Sequence, residues 1–148
     1  DTSGNTAIGG TLDVTGATTL TTLSYNVLTE VVTATNVLEA SESGKTCFLK
    51  SGTEFVSTLP APAAGLNYKF IVDDAPLDTS YTIITNGSAN IIYGIVVVHG
   101  AAVSGVDANT ITFGAGSAIK GDWVQVVSDG TDWYVSGQGF AAGSITLT

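Results

Sequence analysis

The sequence predicts an all-β protein: an antiparallel, jelly-roll-like β-sandwich preceded by an extended β-rich arm or shaft. Three observations predict it. The apolar runs are short. They are separated by Gly, Pro, Asn-Gly and Asp-Gly, and they are filled by β-branched and aromatic side chains. Short runs of that composition, punctuated by turn formers, make strands, and many of them at regular spacing make a sandwich or barrel. No helix longer than about three turns is expected.

The chain divides by texture near residue 38. Residues 1 to 38 are rich in Thr, Gly and β-branched residues, and their one aromatic is Tyr25. Leu12 and Val14 alternate between Gly10 and Gly16, which is short-strand punctuation. A segment this short cannot enclose a core, so Ile8, Leu12, Val14, Leu20 and Leu23 need neighbours. These come from the rest of the chain or from copies of the same segment. The five are the candidate oligomer contacts, able to form an apolar column about a threefold axis. Between Asn26 and Leu38 a short helix is conceivable, but the Thr and Val content favours extended chain.

Residues 39 to 148 hold both tryptophans, all five phenylalanines and all four lysines. Strands are expected over 46–50, 54–59, 68–72, 81–85, 91–93, 95–99, 110–113, 123–127, 133–136 and 145–147. Pro60 and Pro62 stop the second. Asn86-Gly87 marks a tight turn, and Asp129-Gly130 marks the clearest hairpin. This part is expected to fold alone as the sandwich domain.

Composition limits the function. The chain has 148 residues, 44% of them hydrophobic and only 11% charged, with a net charge of −9. That is a globular and charge-poor composition, unlike a disordered chain. Four scattered lysines against 13 acids cannot release counterions from a nucleic-acid backbone or hold an anionic membrane. The most apolar stretch, from Ile91 to Val98, is far too short to span a bilayer as a helix. No signal peptide is visible, and a start at Asp1 without Met points to a processed or trimmed terminus. Cys47 is the only cysteine, so neither an internal disulfide nor a thiolate metal site can form; it reads as a small buried hydrophobe.

Motifs for catalysis are weak. Ser43-Gly44-Lys45-Thr46 ends like a phosphate-binding loop, but Glu39 stands where that loop needs its first glycine. His99, the sole histidine, follows an apolar run and precedes Gly100, so a structural or surface role is expected. Asp73, Asp74 and Asp78, and likewise Asp129 and Asp132, fall where turns fall; a calcium site or a carboxylate pair is the less economical reading. Asn86-Gly87-Ser88 matches a glycosylation sequon that its turn role already explains. No catalytic residue, metal site or cofactor is expected. Tyr68, Tyr93, Trp123 and Trp133 could stack on a sugar if exposed, with Tyr68 and Tyr93 the candidate ligand-facing pair; burial in a core or interface is the commoner fate.

Several stretches occur together in one order: Ser43-Gly44-Lys45-Thr46, Thr58-Leu-Pro-Ala-Pro-Ala-Ala-Gly65, Tyr68-Lys-Phe-Ile-Val72, Tyr81-Thr-Ile-Ile-Thr85, Gly121-Asp-Trp-Val124 and Ser128-Asp-Gly-Thr-Asp-Trp-Tyr-Val-Ser-Gly137. In this, residues 39 to 148 resemble a domain of phage tail-fibre, head-fibre and other virion structural proteins. The stretch Gly9-Gly-Thr-Leu-Asp-Val-Thr-Gly16 looks like phage fibre shafts, which are typically trimeric. The resemblance implies a non-enzymatic homotrimer on the virion. It would be a capsid decoration or head-fibre protein, with the major capsid protein or another virion component as partner. A receptor-binding fibre tip, facing a host glycan or surface protein, is the alternative.

Overall fold

A computed structural model describes residues 27–74 and 78–148, and they are all-β. The only helical elements described are two three-residue 3-10 turns, at Ala40–Glu42 and Asn86–Ser88. Twelve strands are described: β1 (Thr29–Val32), β2 (Asn36–Val37), β3 (Thr46–Leu49), β4 (Phe55–Thr58), β5 (Asn67–Val72), β6 (Tyr81–Ile84), β7 (Ile92–Val98), β8 (Ala101–Ala108), β9 (Thr110–Phe113), β10 (Trp123–Ser128), β11 (Trp133–Gly139) and β12 (Ile145–Leu147). They form a seven-stranded sheet in the order β1-β3-β5-β10-β11-β7-β8 and a five-stranded sheet in the order β12-β9-β6-β4-β2.

Both sheets are mixed, which corrects the antiparallel expectation. From β1 to β6 the chain alternates between the layers, so β1, β3 and β5 run parallel in one sheet while β2, β4 and β6 run parallel in the other. Parallel neighbours need a crossover, and each crossover here is a strand of the opposite layer. Direct hairpins join β7 to β8 and β10 to β11. The Asn86-Gly87 turn, with Gly87 at φ 64, instead carries the chain from β6 in one sheet to β7 in the other.

Strand alternation builds the core. Cys47 and Leu49, then Tyr68, Phe70 and Val72, then Val124 and Val126, and Trp133 and Val135 point inward from the larger sheet. Phe55, Tyr81, Ile83, Ile111, Phe113 and Ile145 meet them from the smaller one, with the Phe55 and Tyr81 rings stacked at 4.3 Å. Buried Asp122 ties the loop before β10 to the end of β11: its carboxylate accepts from the N–H of Ile119 (3.0 Å) and of Phe140 (2.8 Å).

Residues 29 to 38 belong to this sandwich. β1 and β2 are edge strands of the two sheets, and Val32 and Leu38 are in the core. The boundary expected at residues 38 and 39 therefore falls inside the sandwich. The candidate contacts Ile8, Leu12, Val14, Leu20 and Leu23 lie outside the described residues.

The two hairpins show why particular turn residues are needed. His99 (φ 49) and Gly100 (φ 79) make the two-residue loop between Val98 and Ala101, both left-handed as a type I′ turn requires. In the loop from Asp129 to Asp132, the Asp129 carboxylate accepts from the N–H groups of Thr131 (2.8 Å) and Asp132 (2.9 Å). Gly130 has φ 110, and a Cβ there would lie 3.3 Å from the Ala64 nitrogen. Gly130→Val should therefore cost about 1–3 kcal/mol, read as an earlier urea midpoint; an unchanged midpoint would contradict the strain.

Cys47 is fully buried, and burial pushes its thiol up to about 12. A thiolate is then scarce at neutral pH. Labelling of the native protein by a bulky thiol reagent should proceed only as fast as the sandwich opens, and fast stoichiometric labelling would contradict this packing.

Candidate interaction face

The outer face of the seven-stranded sheet is assembled by register. Val31 pairs with Phe48, Phe48 with Ile71, and Ile71 with Trp123. Trp123 then pairs with Gln138, Gln138 with Val97, and Val97 with Ala102. One outward row thus crosses all seven strands, and Gln138 is its sole polar member. The next row runs from Thr46 through Lys69, Gln125 and Ser136 to Ile95. Neither row contains a carboxylate. Ile95 is 56% exposed and Val97 44%, and Val31 and Val127 are exposed as well. The Lys69 ammonium lies over the Trp123 ring, 4.8 Å from its centroid, a cation–π contact that spreads the one charge of these rows over an aromatic face.

At one end of this face Tyr93 and Tyr134 sit on neighbouring strands, their ring centroids 6.5 Å apart. A bulge between β7 and β8 sets two residues, Val106 and Asp107, opposite Tyr93. Asp107 takes φ 56 there, and its carboxylate accepts the Tyr93 hydroxyl. That bond pushes the Tyr93 phenol up to about 12. Tyr134 donates to Asp129 at 3.0 Å, and its phenol is likewise raised by that bond. Two backbone N–H groups, those of Asp132 and Thr131, lower the Asp129 carboxyl in turn. The corner is aromatic and acidic, and lies at the rim of these two rows.

The structure separates the four aromatic candidates. Tyr68 is fully buried, tilted against Trp133 at 5.9 Å, with its hydroxyl donating to the Glu39 carbonyl at 2.9 Å. Tyr68 therefore cannot face a ligand, and Trp133, also fully buried, cannot either. Strand parity carries the reason: Tyr68 shares a face with Phe70 and Val72, while Lys69 takes the other. Tyr93 and Trp123 are partly exposed on the outer face. Exposed Tyr134 was missed, although its parity with Ser136 and Gln138 marks it as outward.

The remaining motifs have structural partners. Lys45 is bonded by Glu30 of β1 at 2.6 Å and by Glu42 of the first 3-10 turn. These two bonds hold the amine well above the usual lysine range. Ser43-Gly44-Lys45-Thr46 is therefore the turn that fastens edge strand β1 to β3. Asp73 is bridged by Lys120 at 3.0 Å and by Lys50 at 3.7 Å. The His99 ring lies 3.1 Å, through Nδ1, from the Phe140 carbonyl. Comparison with known protein families, with curated proteins and with solved structures returns no match.

Proposed function

We propose that this chain is a non-enzymatic structural protein of a virus particle, displayed on the capsid surface as a homotrimeric decoration or head-fibre protein. The observation that carries the reading is the outer face of the larger sheet. Its apolar row crosses seven strands, a surface that a solitary soluble domain rarely leaves to water. The low charge supports it too, because a surface of Thr, Ser, Asn and Gly costs little to desolvate in a permanent assembly. The motifs that resemble virion proteins map to turns and the strands they launch: the Lys45 turn into β3, the proline loop before β5, and the β10–β11 hairpin. The likeness is thus one of scaffold. The major capsid protein is the expected partner.

The Tyr93–Tyr134 corner favours a second reading, a fibre tip that recognises a host glycan or surface protein. Copy number separates the two. Labelled particles imaged by electron microscopy should carry this chain in hundreds of copies over the capsid. A handful at the tail would replace the first reading by the second, and its absence from particles would end both.

A further inference from the structure

We infer that the outer face of the seven-stranded sheet is where this chain meets further copies of itself. The inference deepens the homo-oligomeric part of the proposed function and rests on that part alone, not on its threefold order, since a face laid on its own copy makes a twofold pair; it does not depend on a particle.

Charge selects the occupant. Copies carrying a net −9 repel one another, so a self-contact must lie where carboxylates are missing. The two central rows of this face meet that condition, while Asp107, Asp129 and Asp132 stand at the rim beside the tyrosines. An apolar row bordered by a row whose only charge is Lys69, with the carboxylates outside both, fits the anatomy of a protein interface. A basic partner would be drawn to carboxylates, and these rows offer it none. An acidic partner would be met by Lys69 alone, already held over Trp123. Another copy of the same face, apolar in one row and without carboxylates in both, is the complementary surface.

The area is sufficient. Seven strands about 4.8 Å apart span about 29 Å, and strands of about six residues are about 20 Å long, so each face offers roughly 580 Å². Two such faces bury roughly 1,150 Å², above the roughly 1,000 Å² that a specific interface needs. Ile95 and Val97, both β-branched, exposed and on β7, supply exposed aliphatic bulk to the two rows.

The test uses the full chain. Light scattering of the wild type should give a mass that is a multiple of the single chain. The double variant Ile95→Lys/Val97→Lys should give the single-chain mass, with an unchanged far-ultraviolet circular dichroism spectrum. If the lysines impair folding, Ile95→Thr/Val97→Thr decides, since it keeps the β-branched shape. Its dissociation constant should be roughly tenfold or more weaker. A monomeric wild type, or variants that keep the wild-type mass and affinity, would overturn the inference. A monomer whose Lys69 becomes shielded from acetylation only on particles would give the face to another occupant, and so overturn it as well. An oligomer that fails to bind particles would instead sink the virion reading and leave this one standing.

Discussion

Trp133→Ala is expected to lower the free energy of unfolding by about 4 kcal/mol, within the range for emptying a buried tryptophan site. Trp133 opens β11, an interior strand flanked by β10 and β7. It is fully buried, and its ring packs on Tyr68 of β5, two strands away. The backbone around it cannot close in. Gly94, paired with Val135 on the adjoining strand, lies so near that a Cβ there would meet the Val135 carbonyl oxygen at 2.1 Å. On the other side a Cβ at Gly137 would meet the Trp123 carbonyl oxygen at 2.3 Å. Strands already drawn this close leave the truncated site as a cavity. Against a typical total of about 5–15 kcal/mol, the loss would take a large share of the stability. Urea unfolding followed by tyrosine fluorescence checks it, and a loss under about 1 kcal/mol would mean that the indole is not a core element.

The alternation of β3, β4, β5 and β6 was legible because side-chain parity is local: each of these strands alternates buried and half-buried positions along its length. The direction of pairing was not. Whether β3 runs with or against β5 depends on which layer the chain visits between them, and no residue of either strand records that. β8 was missed because Ala101-Ala-Val-Ser-Gly-Val-Asp-Ala108 has few bulky residues. Its small side chains are required instead: at Gly105 a Cβ would press against Leu147 of β12, at 3.1 Å. The signal that could have found it was His99-Gly100, a two-residue turn between extended runs. Gly94 divided the expected strands 91–93 and 95–99, yet it lies within β7 at the bulge, where φ 140 and the close Val135 backbone both demand glycine. The outer face was legible only in part. Each row takes one residue from each of several strands, so it exists only once strand order and register are known.

Two truncations should part sharply in outcome, and the difference locates the start of the sandwich. Removal of residues 1 to 26 leaves β1 and β2 in place and should give a protein that melts as the full chain does. Removal of residues 1 to 38 strips the edge strand from each sheet. It takes Val32 and Leu38 out of the core, about 1.5–3 kcal/mol apiece. It also removes Glu30 and so half of the clamp on Lys45. The backbone bonds from Thr46 N–H to the Leu28 carbonyl (2.8 Å) and from Lys50 N–H to the Val32 carbonyl (2.9 Å) go with it. What remains is a bare β3 edge, a template for aggregation. The shorter protein should therefore lose roughly 4–9 kcal/mol from the two side chains and the exposed bonds together, and precipitate or unfold near room temperature. Cys47, on the newly bared edge strand β3, reports the difference directly: slow labelling after the first truncation, fast after the second. The first truncation also isolates the role of the arm. If residues 1 to 26 attach the protein to particles, the shortened chain should keep its sheet-face self-contact in light scattering and no longer co-sediment with stripped particles. Retained co-sedimentation would move attachment onto the sandwich itself.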